Sequence, residues 1–206
     1  MNVLLINGSP KKDGNTRLAL NEIATALKNN GIDSIIINIG TKAVQGCIAC
    51  NKCGELGRCV FKDELYENIR ENLANCDGVI IGSPVYYSAP NGSLCAVLDR
   101  VFYSCSNLLQ YKPGAAIVVC RRGGASAAFD RLNKYFTITN MPVVSSQYWN
   151  NVHGLMPGEA AEDAEGLQIM RTLGKNMAWL LKNIAQGALP VPEPEEPIAT
   201  NFVRRS

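Results

Sequence analysis

Residues 2–16 read Asn-Val-Leu-Leu-Ile-Asn-Gly-Ser-Pro-Lys-Lys-Asp-Gly-Asn-Thr. The apolar run Asn2 to Ile6 is short, as in a strand buried on both faces. It ends at Asn7-Gly8-Ser9-Pro10, a turn signal. From Asn15 the pattern changes: Leu20, Ile23, Ala24 and Leu27 recur on one helical face, and Gly31 closes the helix. Strand, polar loop and helix in that order open an α/β fold.

The same alternation continues along the chain. Ile32 to Ile39 is β-branched and reads as a second strand. Asp63 is an N-cap for a helix to about Asn75, with Leu65, Ile69 and Leu73 on one face. A third strand covers Gly78 to Gly82, and a helix over Gly92 to about Ser106 turns Leu94, Val97, Leu98 and Val101 inward. Ala115 to Cys120 is a fourth strand, Ala125 to Phe136 a helix, and Met141 to Trp149 a fifth strand. A long helix is expected from about Gly158 to Ile184, with Glu159, Glu162 and Asp163 suiting its positive end. The expectation is a doubly wound, five-stranded parallel sheet within one domain, 1–187. A proline-rich extended tail, 188–206, carries Pro190, Pro192, Pro194 and Pro197, with Phe202 and Val203 as candidate anchors.

Composition narrows the function. The 206 residues are 47% hydrophobic and 18% charged, with a formal net charge of +2. That charge is too small for a nucleic-acid partner, and no Lys/Arg stripe is present. No apolar run reaches membrane-span length, and the N-terminus lacks a signal-peptide pattern, so a cytoplasmic protein without a membrane partner is expected. Eight cysteines in a reducing compartment do not read as a disulfide framework. Cys76, Cys95, Cys105 and Cys120 lie among apolar neighbours and read as core; Cys47, Cys50, Cys53 and Cys59 are packed together in one loop.

In a doubly wound sheet, ligands bind beyond the carboxyl ends of the strands. The first such loop, Gly8 to Thr16, offers backbone N–H groups at a helix N-terminus. Ser9, Asn15 and Thr16 add side-chain donors, and Lys11 or Lys12 adds charge, as a phosphate monoester requires. It is neither a P-loop, which needs Lys followed by Ser or Thr, nor a dinucleotide fingerprint, which needs closely spaced glycines. An ordinary turn and helix cap would read similarly. After the third strand, Ser83-Pro84-Val85-Tyr86-Tyr87 can flank a flat, partly apolar ring, or Tyr86 and Tyr87 can simply close the core. After the fourth, Arg122-Gly123-Gly124 lets backbone approach a ligand or makes a tight turn.

Taken together, Gly8-Ser-Pro-Lys-Lys-Asp-Gly-Asn-Thr16, Gly82-Ser-Pro-Val-Tyr-Tyr87 and the helix start from Gly92 to Arg100 resemble the NADPH-dependent FMN reductase family, over roughly residues 1–150. The resemblance implies a flavodoxin-like sheet of order 2-1-3-4-5. It implies that Ser9, Lys11, Asn15 and Thr16 hold the FMN phosphate. Pro84, Val85, Tyr86 and Tyr87 would line the isoalloxazine, with Arg122, Gly123 and Gly124 as the third contact. Arg121-Arg122 departs from the small residues relatives often carry there. A positive Arg122 beside the flavin would favour its anionic reduced form.

The spacing Cys47-x-x-Cys50-x-x-Cys53-x5-Cys59 lets three thiolates wrap one face of a cubane and a fourth close it. The ferredoxin run is similar but ends Cys-Pro, whereas Val60 follows Cys59 here. Lys52, Arg58 and Lys62 would offset thiolate charge. A zinc site more often uses two separated C-x-x-C pairs; a bare thiol loop or a disulfide is also open at this point. The compact spacing is similar to the iron–sulfur flavoprotein branch of the family. That implies Cys47, Cys50, Cys53 and Cys59 as ligands of a [4Fe-4S] cluster exchanging electrons with FMN, usually across a subunit interface, in a homodimer or homotetramer. His153 reads as a surface residue, Trp149 as core or interface, and no protein acid or base is demanded, because a flavin carries the redox chemistry.

Three functions are then in competition. The first is an FMN oxidoreductase taking hydride from NAD(P)H, a transient substrate, and reducing a small acceptor such as a quinone, an azo compound or a flavin. The second is an electron carrier fed by ferredoxin through the cluster. The third is a non-catalytic FMN-binding or thiol redox-sensing module.

Overall fold

β1 (Asn2–Asn7) lies inside a parallel sheet. It pairs with β2 (Asp33–Asn38) from Asn2↔Asp33 to Asn7↔Asn38, and on its other side with β3 (Gly78–Tyr86) from Val3↔Gly78 to Asn7↔Gly82. β5 (Gly114–Cys120) continues the sheet from Val79↔Gly114 to Pro84↔Val119, and β6 (Asn151–His153) ends it from Val118↔Asn151 to Cys120↔His153. The order is β2-β1-β3-β5-β6; β4 (Ala89–Pro90) folds back antiparallel on the end of β3. Among the parallel strands alone, this is the expected 2-1-3-4-5. The computed structural model describes residues 1–187, 189–193, 195, 196 and 198.

Strand side chains alternate between two cores, as a period of two requires. Val3, Leu5, Ile80, Ala115 and Ile117 face α1 (Asn15–Asn29) and α7 (Ala164–Gln186). Leu4, Ile6, Val79, Ile81, Ala116 and Val118 face α3 (Glu64–Asn75), α4 (Gly92–Ser104) and α6 (Ala125–Ile138). The short α2 (Cys53–Leu56) lies in the cysteine loop, and α5 (Ser106–Leu109) follows α4. Leu94, Val97, Leu98 and Val101 are buried, as the helical spacing predicts. No described helix is long and apolar enough to cross a membrane.

Three elements depart from the sequence expectation. The run Met141 to Trp149 is not a strand: only Val143 bridges to Gly114, and pairing resumes at Asn151. Ser146 Oγ bonds the Tyr148 carbonyl at 2.7 Å and the Asn150 side chain at 2.8 Å, offering the backbone a local alternative to the ladder. The long helix starts at Ala164 rather than near Gly158, because Asp163 caps it by accepting from the Gly166 N–H at 2.9 Å. Gly158 has φ of +91°, and a 3-10 turn over Glu159–Ala161 intervenes. The third strand runs past Gly82 to Tyr86 and turns through Tyr87 and Ser88, with φ of +50° and +60°, into β4. The described residues after Gln186 form no helix or strand; the Tyr111 hydroxyl donates to the Pro192 carbonyl at 3.2 Å. Phe202 and Val203, as well as Pro194 and Pro197, lie outside the described residues.

Candidate functional site

The carboxyl ends of β1, β3, β5 and β6 meet at a cleft of about 280 Å³. Ser9, Lys11, Gly14, Asn15 and Thr16 form one side, and Pro84, Val85 and Tyr86 another. Val119, Cys120 and Arg121, then Gly154, Leu155 and Pro157, complete it. The first two loops singled out from the sequence are thus brought together, without Tyr87. The hairpin turn leaves the Tyr87 ring fully exposed. In the third loop it is Arg121, not Arg122, that reaches the cleft, and Gly123 and Gly124 are not in its wall. Gly124, at φ of +86°, packs on Ser88: a Cβ there would stand 2.7 Å from the Ser88 hydroxyl. This glycine serves the hairpin contact.

The first loop is braced from below. The buried Asn7 side chain accepts from the Ser9 N–H at 3.1 Å and donates to Asn38 at 2.9 Å. The Gly8 N–H donates to the Gly82 carbonyl at 2.7 Å, and a Cβ on Gly8 would lie 2.6 Å from that oxygen. Such close approach of two loops admits only glycine. Ser9 Oγ accepts from the Lys11 N–H at 3.1 Å, so its own proton is free to be donated outward.

α1 has no side-chain cap and no acidic residue in its first turn, whereas α3, α4 and α7 are capped by Asp63, Asn91 and Asp163. The helix end facing the cleft therefore keeps its positive partial charge and its N–H donors available to an anion. This is the arrangement a phosphate group fits. Asn15 is committed elsewhere: its Nδ2 donates to the Met156 carbonyl at 2.9 Å, and its Oδ1 accepts from Gly158 N–H at 2.9 Å and Ala160 N–H at 3.4 Å. What it presents to an anion is its backbone. The loop it holds is braced again by Glu159, which accepts from the Leu155 and Met156 N–H groups at 2.7 and 2.8 Å, bonds that lower its carboxyl pKa. Burial, reinforced by Asp163, pushes the Cys120 thiol up, so it stays protonated in the cleft wall.

His153 is outside this cleft; its ring Nδ1 is 3.3 Å from Asp163, whose carboxylate also accepts from the His153 N–H at 2.6 Å. Trp149 is exposed, its ring 5.1 Å from that of Tyr148, and is not core.

All four loop cysteines, Cys47, Cys50, Cys53 and Cys59, line a second, smaller cavity with Val60, Phe61 and Arg100. Every cysteine is a free thiol, so the disulfide alternative is not what the loop forms here. Among the described residues no three His, Cys, Asp or Glu side chains converge as a single-ion site. Tetrahedral zinc would hold its sulfurs about 3.8 Å apart. The thiols share a cavity without converging to that degree.

Beneath them lies a residue the sequence reading passed over. Arg100, on α4, is 1% exposed. Its Nε donates to Cys59 Sγ at 3.3 Å, Nη1 to the Gln45 carbonyl at 3.2 Å, and Nη2 to the Phe61 carbonyl at 2.9 Å. Nη2 also pairs with Asp63 at 2.6 Å, and the guanidinium sits 4.8 Å from the Tyr66 ring centre. Burial alone would disfavour the cation, but the bonds to Cys59 and Asp63 outweigh it and raise its pKa. For Asp63, burial pushes up, while the bonds from Arg100 and the Tyr66 N–H pull further, and the carboxyl ends below its usual value. The one available signal was a charge flanking the apolar stripe of α4.

Comparison with known proteins agrees with this geometry. The model of the NADPH-dependent FMN reductase family matches residues 1–154. An iron–sulfur flavoprotein of Methanocaldococcus jannaschii is 34% identical over 192 residues, covering 89% of this chain and 99% of its own. One from Methanosarcina thermophila is 29% identical over 188 residues, covering 89% and 97%. Among solved structures, RosB with the bound intermediate 8-demethyl-8-formylriboflavin-5'-phosphate superposes with a TM-score of 0.69 at 12% identity, covering 98% of this chain and 92% of that one. An archaeal flavodoxin gives 0.59 at 15% identity, covering 88% and 99%, a likeness of fold. With its sheet order, its cleft beyond β1 and β3 and these relatives, the chain belongs to the NADPH-dependent FMN reductase family of flavodoxin-like proteins, in its iron–sulfur flavoprotein branch.

Proposed function

We propose that this protein is an electron-transfer flavoprotein that holds FMN in the cleft beyond β1 and β3 and a [4Fe-4S] cluster in the cysteine cavity. The observation that carries the reading is the gathering of Cys47, Cys50, Cys53 and Cys59 around one cavity as free thiols. Thiols that share a cavity yet do not converge on a point suit a group in which each sulfur meets a different iron. The relatives named iron–sulfur flavoproteins support it.

When bound, FMN supplies one- and two-electron chemistry and a cluster supplies single electrons. The chain's own residues do the rest. The α1 N-terminus with Ser9, Thr16 and Lys11 would take the phosphate, with Arg121 adding positive charge to the same cleft. Pro84, Val85 and Tyr86 would cover the ring system, and Asn15 would act as the clamp that keeps the Gly154–Pro157 wall closed. Gly124 supports the hairpin through Ser88, Arg122 and Gly123 are exposed outside the cleft, and Tyr87 stands exposed at the hairpin turn. Ferredoxin or a similar small redox protein is the donor in this reading, and a homodimer or homotetramer is its assembly.

A reductase reading, with NAD(P)H as hydride donor and a quinone, azo compound or flavin as acceptor, is favoured by one observation: Tyr86 is half-exposed at the cleft rim, leaving room for a second planar molecule. Anaerobic purification followed by an absorbance spectrum with iron and sulfide analysis tests both. One FMN with iron and sulfide in cluster ratio, reduced faster by ferredoxin than by NAD(P)H, is the expected result. Flavin without iron and fast NADPH oxidation would favour the reductase. A colourless protein unable to take up FMN would overturn both.

A further inference from the structure

The buried guanidinium of Arg100 faces the cysteine cavity from the protein side. Four of its five donors' directions are accounted for on one loop: Cys59 Sγ, the Gln45 and Phe61 carbonyls, and the Asp63 carboxylate. These partners lie 37 to 55 residues away in sequence, and among the described residues Arg100 is the one side chain that bonds all of them. A buried arginine is costly unless it is fully partnered. An ion pair to Asp63 would have sufficed for neutrality. The Nε–H directed at a cysteine sulfur goes beyond what neutrality needs.

We propose that Arg100 is a positioning residue for the cluster: it ties the loop from Gln45 to Asp63 into the shape that presents Cys59 to the cavity, and its Nε–H bond to Cys59 Sγ raises the reduction potential of the group held there. This rests on the cluster reading given above. The physical basis is general. Hydrogen bonds to ligand sulfurs withdraw electron density and stabilise the more negative, reduced state. A cation held in a dry site acts in the same direction. Arg100 supplies both through one bond. Arginine suits the place because its planar fork makes several bonds in fixed directions, which a lysine ammonium cannot reproduce.

The test uses the full-length protein, purified and reconstituted without oxygen. Arg100→Met and Arg100→Lys are compared with the wild type by iron and sulfide content, by redox titration of the cluster, and by proteolysis of the Gln45–Asp63 loop in the cluster-free form. Arg100→Met is expected to cut cluster occupancy at least threefold. In the molecules that keep the cluster, the reduced-to-oxidised ratio at a set potential should fall at least tenfold, about 59 mV for one electron. Arg100→Lys keeps a cation for Asp63 but not the directed Nε–H bond, and should also lower the potential; it carries the test alone if the methionine variant does not fold. Asp63→Asn, which keeps a good helix cap and removes the ion pair, should not lower the potential. Wild-type occupancy and potential in both Arg100 variants would overturn the proposal. A wild-type protein that takes up no iron and sulfide would overturn the cluster reading beneath it instead, and the two failures are told apart by that single control.

Discussion

Asn15 shows how a polar side chain at the cleft can be spent on the protein itself. Its amide is satisfied at both ends by a segment more than 140 residues away, from Met156 to Ala160. The cleft wall formed by Gly154, Leu155 and Pro157 therefore hangs partly on this residue. Asn15→Ala should weaken FMN binding about tenfold, equivalent to ~1.4 kcal/mol. Flavin fluorescence titration measures it, and hydrogen exchange should rise over residues 155–160; unchanged affinity would mean the wall stands without the clamp. Tyr87 and Ser88 are a second case at this scale. Both take positive φ, at +50° and +60°, where glycine or asparagine is usual. The turn they make ends β3 and gives Gly124 its packing partner, so the strain is tied to the shape of the hairpin beside the cleft.

Among the elements, the pairing of α1 with α7 positions the first loop. Gly174 in α7 lies against α1 so closely that a Cβ would stand 2.7 Å from the Ala26 Cβ and 3.1 Å from the Ile23 carbonyl. Helices approach to this distance only over a small residue. Gly174→Val should destabilise the protein by about 1–3 kcal/mol through overpacking. Urea unfolding measures the loss, and full stability in the variant would show that the helices separate without penalty. The contrast of capped and uncapped helices also belongs here. Side chains cap α3, α4 and α7, while α1 keeps its N-terminus open at the cleft. α6 also lacks a side-chain cap, but of these uncapped ends it is that of α1 whose first residues, Asn15 and Thr16, line the cleft.

For the molecule as a whole, the shifted groups set a pH window. Asp163 is pushed up by burial, but the Gly166 and His153 N–H bonds and the His153 ring outweigh this and leave it below its usual 3.8; Asp63 is likewise lowered. A carboxylate with a lowered native pKa contributes stability that is present above the unfolded value and lost as the pH falls through the native one. The protein should therefore lose stability progressively below about pH 4. Asp163→Asn, which keeps a cap, should cost about 0.5–1 kcal/mol at pH 7, and the difference from wild type should shrink as the pH falls below 3.8. At the alkaline side, burial and the Cys105 bond push Tyr66 up to about 12 from 10.0. Its contribution is complete below pH 10.0 and is lost as the pH rises toward about 12. Thermal denaturation across pH checks both limbs; a flat acid limb would contradict the carboxylate shifts.

The sequence by itself determined the sheet and the strand ends at which the cleft opens. Val3 to Ile6, Gly78 to Gly82 and Ala115 to Cys120 are apolar runs whose burial on both faces leaves parallel strands as the answer, and the loops at their ends are where a cleft must open. The cysteine spacing was equally legible, because those four residues lie within a single loop. Only the tertiary structure decided what depends on contacts between distant segments. Arg121 rather than Arg122 enters the cleft, Asn15 holds the Met156–Ala160 segment, the stretch before Asn150 turns instead of pairing, and Arg100 sits under the cysteines. Periodicity reports which face of an element is buried; it carries no information on which polar group meets which across 37 to 145 residues of chain. Those pairings are set by the packing of the finished sheet and helices, and here they shape both the cleft and the cysteine cavity.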